Sequence, residues 1–201
     1  NPPDDGDPAL HAALDRYRDK VVASANFDFQ NGVQGIPPNA TLISPPQFQD
    51  NRVGFVNFWQ DSIDGKTRAA TYRVTDRQLA GLTPEPGDQI YESLAARALA
   101  KIGHGNDVPD DFRGHMMRFT APDAFQPRPL YEVFDPKLWE ANYGGGAFFK
   151  DKVVLVGPSA QVWHDVVDTP MSPATLGPTL HFQAMAAALN HEFLYATPRK
   201  I

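Results

Sequence analysis

Lys152-Val-Val-Leu-Val-Gly157 runs into a polar turn region holding Asp165, Asp168, Thr169 and Pro170. Gly177-Pro178-Thr179 then opens an apolar helix with His181 in its first turn. A short continuous apolar run bounded by Lys and Gly reads as a strand buried on both faces, and a helix follows it. In α/β sheets ligands collect just past the carboxyl ends of the strands, so the candidate site is expected in this turn.

The rest of the chain is read around that unit. Asp7-Pro8 signals a helix start, with Asp as cap and Pro at the first helical position, and Leu10, Ala13, Leu14 and Tyr17 line one face. Lys20 to Asn26 reads as a strand, and Gln30 to Gln49, rich in Pro, Gly and Asn, as a long loop. Val53–Phe58 and Thr67–Val74 are expected to form a β-hairpin through Asp64-Gly65. Asp88 is expected to cap a helix whose Tyr91, Leu94, Ala95, Ala98 and Ile102 repeat at helical spacing. His115–Thr120 reads as another strand, and Gly144-Gly-Gly146 as a break before the Val-rich run. Phe182, Met185, Ala186, Leu189 and Phe193 are expected to form the buried side of the last helix. Strands and helices mix without strict alternation. The class expected is α/β or α+β: one domain over residues 1–201, with a mixed β-sheet flanked by helices.

Composition narrows the function. A net charge of -6 with scattered basic residues argues against nucleic acid and against an anionic lipid surface. The lack of cysteine excludes disulfides, thiolate metal sites and a Cys nucleophile. No stretch approaches the ~20 apolar residues that span a bilayer. The chain starts at Asn1 without a signal peptide and reads as excised from a longer protein.

Asp165, Asp168 and His181 form the most chemical-looking group, able in principle to hold a divalent cation or to act as an acid/base pair. The plainer reading has the carboxylates accepting backbone N–H bonds and His181 satisfying a nearby carbonyl. It is favoured because no second His or Glu stands at ligand spacing. Ser159, Trp163 and His164 invite a nucleophile, but Ser159 lacks the flanking glycines of a nucleophile elbow. Arg68 could pair with an acidic ligand group or with a local Asp, and Asn57 could serve as a strand-end hydrogen bonder. Phe27, Phe29, Phe55, Phe58 and Trp59 are expected in the core or lining a pocket. No cofactor motif is present: the glycine triplet precedes an apolar run rather than following a strand.

The order of these motifs resembles the CHASE type-two domain, the second type of cyclase/histidine-kinase-associated sensory extracellular domain. The likeness rests on Asp7 to Asn26, Val53-Gly-Phe-Val-Asn57, Asp64-Gly65-x-x-Arg68 and Tyr131-Glu-Val133. It closes on Phe149 to Gly157 followed by Asp165, Thr169-Pro170, Gly177 and His181. The chain departs from the pattern at Arg118-Phe119-Thr120-Ala121-Pro122, which loses an Arg and a Gly, and at Phe182 and Gln183. The family's opening strand-helix-strand is expected ahead of Asn1.

The resemblance implies a non-catalytic extracytoplasmic sensor of a bacterial membrane receptor, on the periplasmic or outer side of the plasma membrane. Its output would be an adenylate or guanylate cyclase, otherwise a histidine or Ser/Thr kinase. It implies membrane helices flanking this chain, a small-molecule or physical stimulus, a homodimer, and no cofactor or metal. The ligand or switch candidates are Asp165, Thr169, His181, Arg68 and Asn57, with a protonation switch at His181 as one form. The rival is a secreted metal-dependent hydrolase using Asp165, Asp168 and His181.

Overall fold

The computed structural model describes residues 4–121, 124–158 and 165–195. Helix α1 (Asp7–Arg16) starts one residue earlier than the Asp-Pro signal implies. Gly6 is the N-cap, and Asp7 instead accepts a hydrogen bond from the Thr41 hydroxyl at 2.6 Å. Strand β1 (Ala23–Asp28) is the middle of a three-stranded sheet, with β2 (Gln34–Ile36) antiparallel on one side and β3 (Val53–Phe55) parallel on the other. Ahead of β3, Arg52 is buried and held by Asp50 at 2.7 Å and Asp15 at 2.5 Å, which ties α1 to the sheet.

Strand β4 (Ala69–Thr71) belongs to a second sheet, and β5 (Arg73–Thr75) runs into the short helix α2 (Asp76–Leu79) through a Thr75/Gln78 capping box. Strand β6 (Ile90–Glu92) pairs antiparallel with β5, and Ser93 caps α3 (Leu94–Lys101). Asp88, the cap expected from sequence, instead accepts the Glu85 N–H. Strand β7 (Gly114–Met117) completes the second sheet, whose order is β10-β7-β4 with β10 at Phe193–Leu194. Helix α4 (Pro136–Tyr143) begins at Asp135 and ends at Gly144, whose left-handed backbone suits glycine at a helix terminus. Strands β8 (Val166–Val167) and β9 (Thr175–Leu176) form a small ladder that delivers α5 (Gly177–Leu189).

This is an α+β fold, its strands spread among the described residues over four small sheets of mixed and antiparallel pairing. The largest core joins α3, α5, β4 and β7 through Ala70, Tyr72, Ala95, Ala96, Leu99, Met117, Leu180 and Ala184. The Tyr72 hydroxyl donates to the Ala184 carbonyl at 2.7 Å. A second cluster packs Phe27, Phe55, Val74 and Leu79 with Phe48 and Tyr91.

Further expectations are corrected. The Val-rich run forms no strand: Val153, Val154 and Val156 are 37%, 54% and 71% exposed. β-Branched residues make a strand only where another strand lies alongside, and among the described residues none does. The Asp64-Gly65 reversal forms, with Asp61 N–H bonded to the Lys66 carbonyl, but its two arms enter different sheets instead of one hairpin. Helix α5 buries Leu180, His181, Gln183, Ala184, Met185, Ala187 and Ala188, while Leu189 is exposed. Of the five aromatics expected inside, Phe27 and Phe55 are core, Phe58 packs against it, and Phe29 and Trp59 are exposed.

Candidate functional site

Three segments meet at the start of α5: the 165–176 ladder, α5 itself and the 57–68 arms. The Gly177 N–H donates to the Asp165 carbonyl at 2.9 Å. The Asp165 carboxylate lies so close to the Gly177 Cα that any Cβ there would collide with it. His181 follows Gly177 by four residues, on the same helix face. Asp165 and His181 are thus set against one edge of α5, one turn apart.

Burial shapes both groups. His181 is 8% exposed, its Nδ1 has no hydrogen-bond partner among the described residues, and its ring centroid is 5.0 Å from that of Phe58. Loss of hydration alone lowers its pKa to about 4. Loss of hydration also pushes the Asp165 carboxyl above the ordinary carboxylate range. Among the described residues no opposite charge offsets the loss of hydration of either ionised form.

Thr169 is buried in the turn between β8 and β9. Its Oγ1 accepts the Met171 and Ser172 N–H groups and shares a 2.8 Å bond with the Thr175 hydroxyl. The turn is laced to the 57–68 arms by two contacts the sequence did not signal. The Thr67 N–H donates to the Asp168 carbonyl at 2.7 Å, and the Lys66 ammonium meets the Asp168 carboxylate at 2.8 Å.

The remaining candidates face inward or along the surface. Both ends of the Asn57 amide are used on Phe27, the Oδ1 accepting its N–H and the Nδ2 donating to its carbonyl, each at 2.9 Å. Arg68 is engaged by Asp61 and, in a short contact, by Asp64, whose carboxyl it holds at about 2. The structure therefore brings Asp165, Thr169 and His181 to one end of α5 with the 66–67 backbone beside them, but turns the Asn57 and Arg68 side chains to internal partners. Two cavities lie elsewhere: one of about 300 Å³ bordered by Asp19, Asn51, Arg97 and Lys101, and one of about 360 Å³ bordered by Pro84, Glu85, Ile90 and Phe112.

Nothing in this geometry supports the hydrolase alternative. Asp168 is engaged by Lys66, and among the described residues no three His, Asp or Glu side chains are placed to hold a metal ion. Ser159, Trp163 and His164 lie outside the described residues.

Thr120 and Gln183, each in a stretch singled out from the sequence, touch each other. Gln183 Oε1 accepts both the N–H and the hydroxyl of Thr120, at 2.8 and 3.0 Å, and Phe182 stacks on Phe125 at 5.0 Å.

A sequence model of the family described as CHASE2 domain matches residues 1–201, the full length of the chain. No curated protein and no solved structure matches it.

Proposed function

Because the chain belongs to the CHASE2 family, a family of extracellular sensory domains found in cyclase- and kinase-type receptors, we propose that it is the signal-input domain of a bacterial transmembrane receptor. In this reading it sits on the outer face of the plasma membrane and works as a homodimer without catalysis of its own. It controls a cyclase in the first instance, and otherwise a histidine or Ser/Thr kinase. The observation that carries the reading is the family match over the whole chain.

A sensor must have two states that the stimulus distinguishes, since a ligand bound equally well by both moves nothing. Helix α5 is the natural moving part. One side is built into the main core, while its first turn carries Asp165, the Thr169 turn and His181. Asn57 and Arg68 act in this scheme as fasteners of the 57–68 arms rather than as ligand contacts.

The test is made in the full-length receptor in membranes, comparing cyclic nucleotide synthesis or phosphotransfer with this domain intact and with an unrelated folded domain in its place. Loss of regulated output with basal output retained supports the reading. Equal regulation in both overturns it, as does turnover of a substrate by the domain itself.

A further inference from the structure

The sensory reading leaves the stimulus unnamed, and the surroundings of His181 point to one. We propose that His181 is a proton-operated latch: taking up a proton at the imidazole forces the first turns of α5 away from Phe58, so that the domain reports acidification. This inference rests on the sensory reading and names its signal.

The argument begins with hydrogen-bond capacity. A neutral imidazole has one donor and one acceptor, whereas the cation has two donors and needs two acceptors. His181 is almost fully buried, and its Nδ1 has no partner among the described residues. A proton added there creates a charged donor with nothing to receive it, and such a group is far costlier buried than in water. The cation is stable only if the ring moves out. Burial already holds the group at about 4, in keeping with that geometry.

Among the described residues, the ionisable groups on the elements around α5 are, with one exception, already occupied. On α3, Arg97 pairs with Glu92 and Lys101 donates to the Arg18 carbonyl. On β7, His115 is held by Asp111. Beyond the C-terminal end of α5, Glu192 pairs with Arg118 and His191 faces Asp107. Beside β8, Asp168 is taken by Lys66. Strand β9 carries no ionisable side chain. The exception is Asp165, whose carboxylate lies against Gly177 without a cation beside it.

Gly177, against which that carboxylate lies, and His181 are four residues apart on α5, about one helical turn of backbone. The latch therefore has two discrete arrangements. In one, neutral His181 is packed on Phe58. In the other, imidazolium is withdrawn toward water and the Asp165 carboxylate. Phe58 adjoins Asn57, whose amide clamps β1, so withdrawal of the ring also loosens the 57–68 arms.

The experiment uses the full-length receptor in vesicles, with output measured against external pH for wild type, His181→Gln and Asp165→Asn. Between about pH 7 and about pH 4.5 the balance of the two arrangements is expected to shift roughly 60-fold in wild type. Output should follow it. His181→Gln should be flat, and Asp165→Asn should need a lower pH to respond. Equal pH responses in wild type and His181→Gln overturn the latch. So does a wild-type output that ignores pH yet disappears on domain replacement, a result that leaves the sensory reading standing.

Should His181→Gln fail to fold, imidazole nitrogen resonances of wild type decide the matter. Protonation of His181 accompanied by a concerted shift of Phe58 supports the latch. A titration near the ordinary histidine value with Phe58 unmoved overturns it.

Discussion

Burial acts on His181 and Asp165 in opposite directions, because it disfavours the charged form of each and the two charge at opposite ends of the pH scale. For His181 the value drops from 6.5 to about 4 on folding. Its neutral form contributes stability in full above pH ~6.5, and about 3 kcal/mol is lost as pH falls from there through ~4. For Asp165 the folded value lies above the ordinary 3.8. Its contribution is present in full below that value and is lost as pH rises through the raised one. Asp165→Asn, which removes the ionisation while keeping the shape, should therefore raise the melting temperature at neutral pH, and the gain should vanish near pH ~3. Thermal unfolding followed across that range is the check. A lower melting temperature at neutral pH would mean that the carboxylate has a charged partner. The types and order of these residues were readable from the chain, and so was the placing of His181 near a helix start. Their orientation was not. That Asn57 spends both ends of its amide on Phe27 depends on β1 lying parallel to β3, a pairing between strands separated by 24 residues with β2 among them, and therefore invisible to local pattern.

Two glycines show how closely the elements approach. A Cβ on Gly54 would fall 2.6 Å from the backbone N and Cα of Leu94, so the start of α3 rests directly on β3. Gly54→Ala must push backbone against backbone and should cost about 1–3 kcal/mol or more in denaturant unfolding. An unchanged midpoint would place α3 farther from the sheet. At Gly177 the obstacle is the Asp165 side chain, so Gly177→Ala should destabilise by about 1–3 kcal/mol, and pairing it with Asp165→Ala should recover most of the loss. Additive effects in that cycle would mean the two residues do not touch. Elements were legible where a signal is local: α1, β1, β7, α5 and the Asp64-Gly65 reversal all lie near where the sequence puts them. Partners were harder. The reversal fixes a change of direction, but β3 goes to β1 and β4 to β7, which no turn residue encodes. For α5, a helix apolar nearly all round offers no single stripe, so periodicity selected Phe182 and Leu189 where close packing selected Leu180, Ala184 and Ala188.

Across the whole molecule the largest gap between pattern and structure is the run Val153–Val156. Its composition is that of a strand covered on both faces, yet three of its four side chains are exposed and Leu155 is only half-buried. Composition records what a segment could bury, whereas burial requires a sheet with room beside it, and the four small sheets here leave this run outside all of them. The two descriptions differ sharply in energy. If the run were covered, charging Val154 and Val156 would remove about 1.5–3 kcal/mol per side chain of burial and strand two ammonium groups in the core. Exposed as they are, Val154→Lys and Val156→Lys together should change unfolding free energy by no more than about 0.5 kcal/mol each. The same pair should reduce binding of a hydrophobic dye and concentration-dependent association, because these valines belong to the apolar surface that the chain leaves in water. Denaturant midpoints and light scattering on the double variant measure both effects. An unfolding free energy lowered by several kcal/mol would return the run to the core, and α5 would then be joined to a central strand rather than led in by the β8–β9 ladder alone.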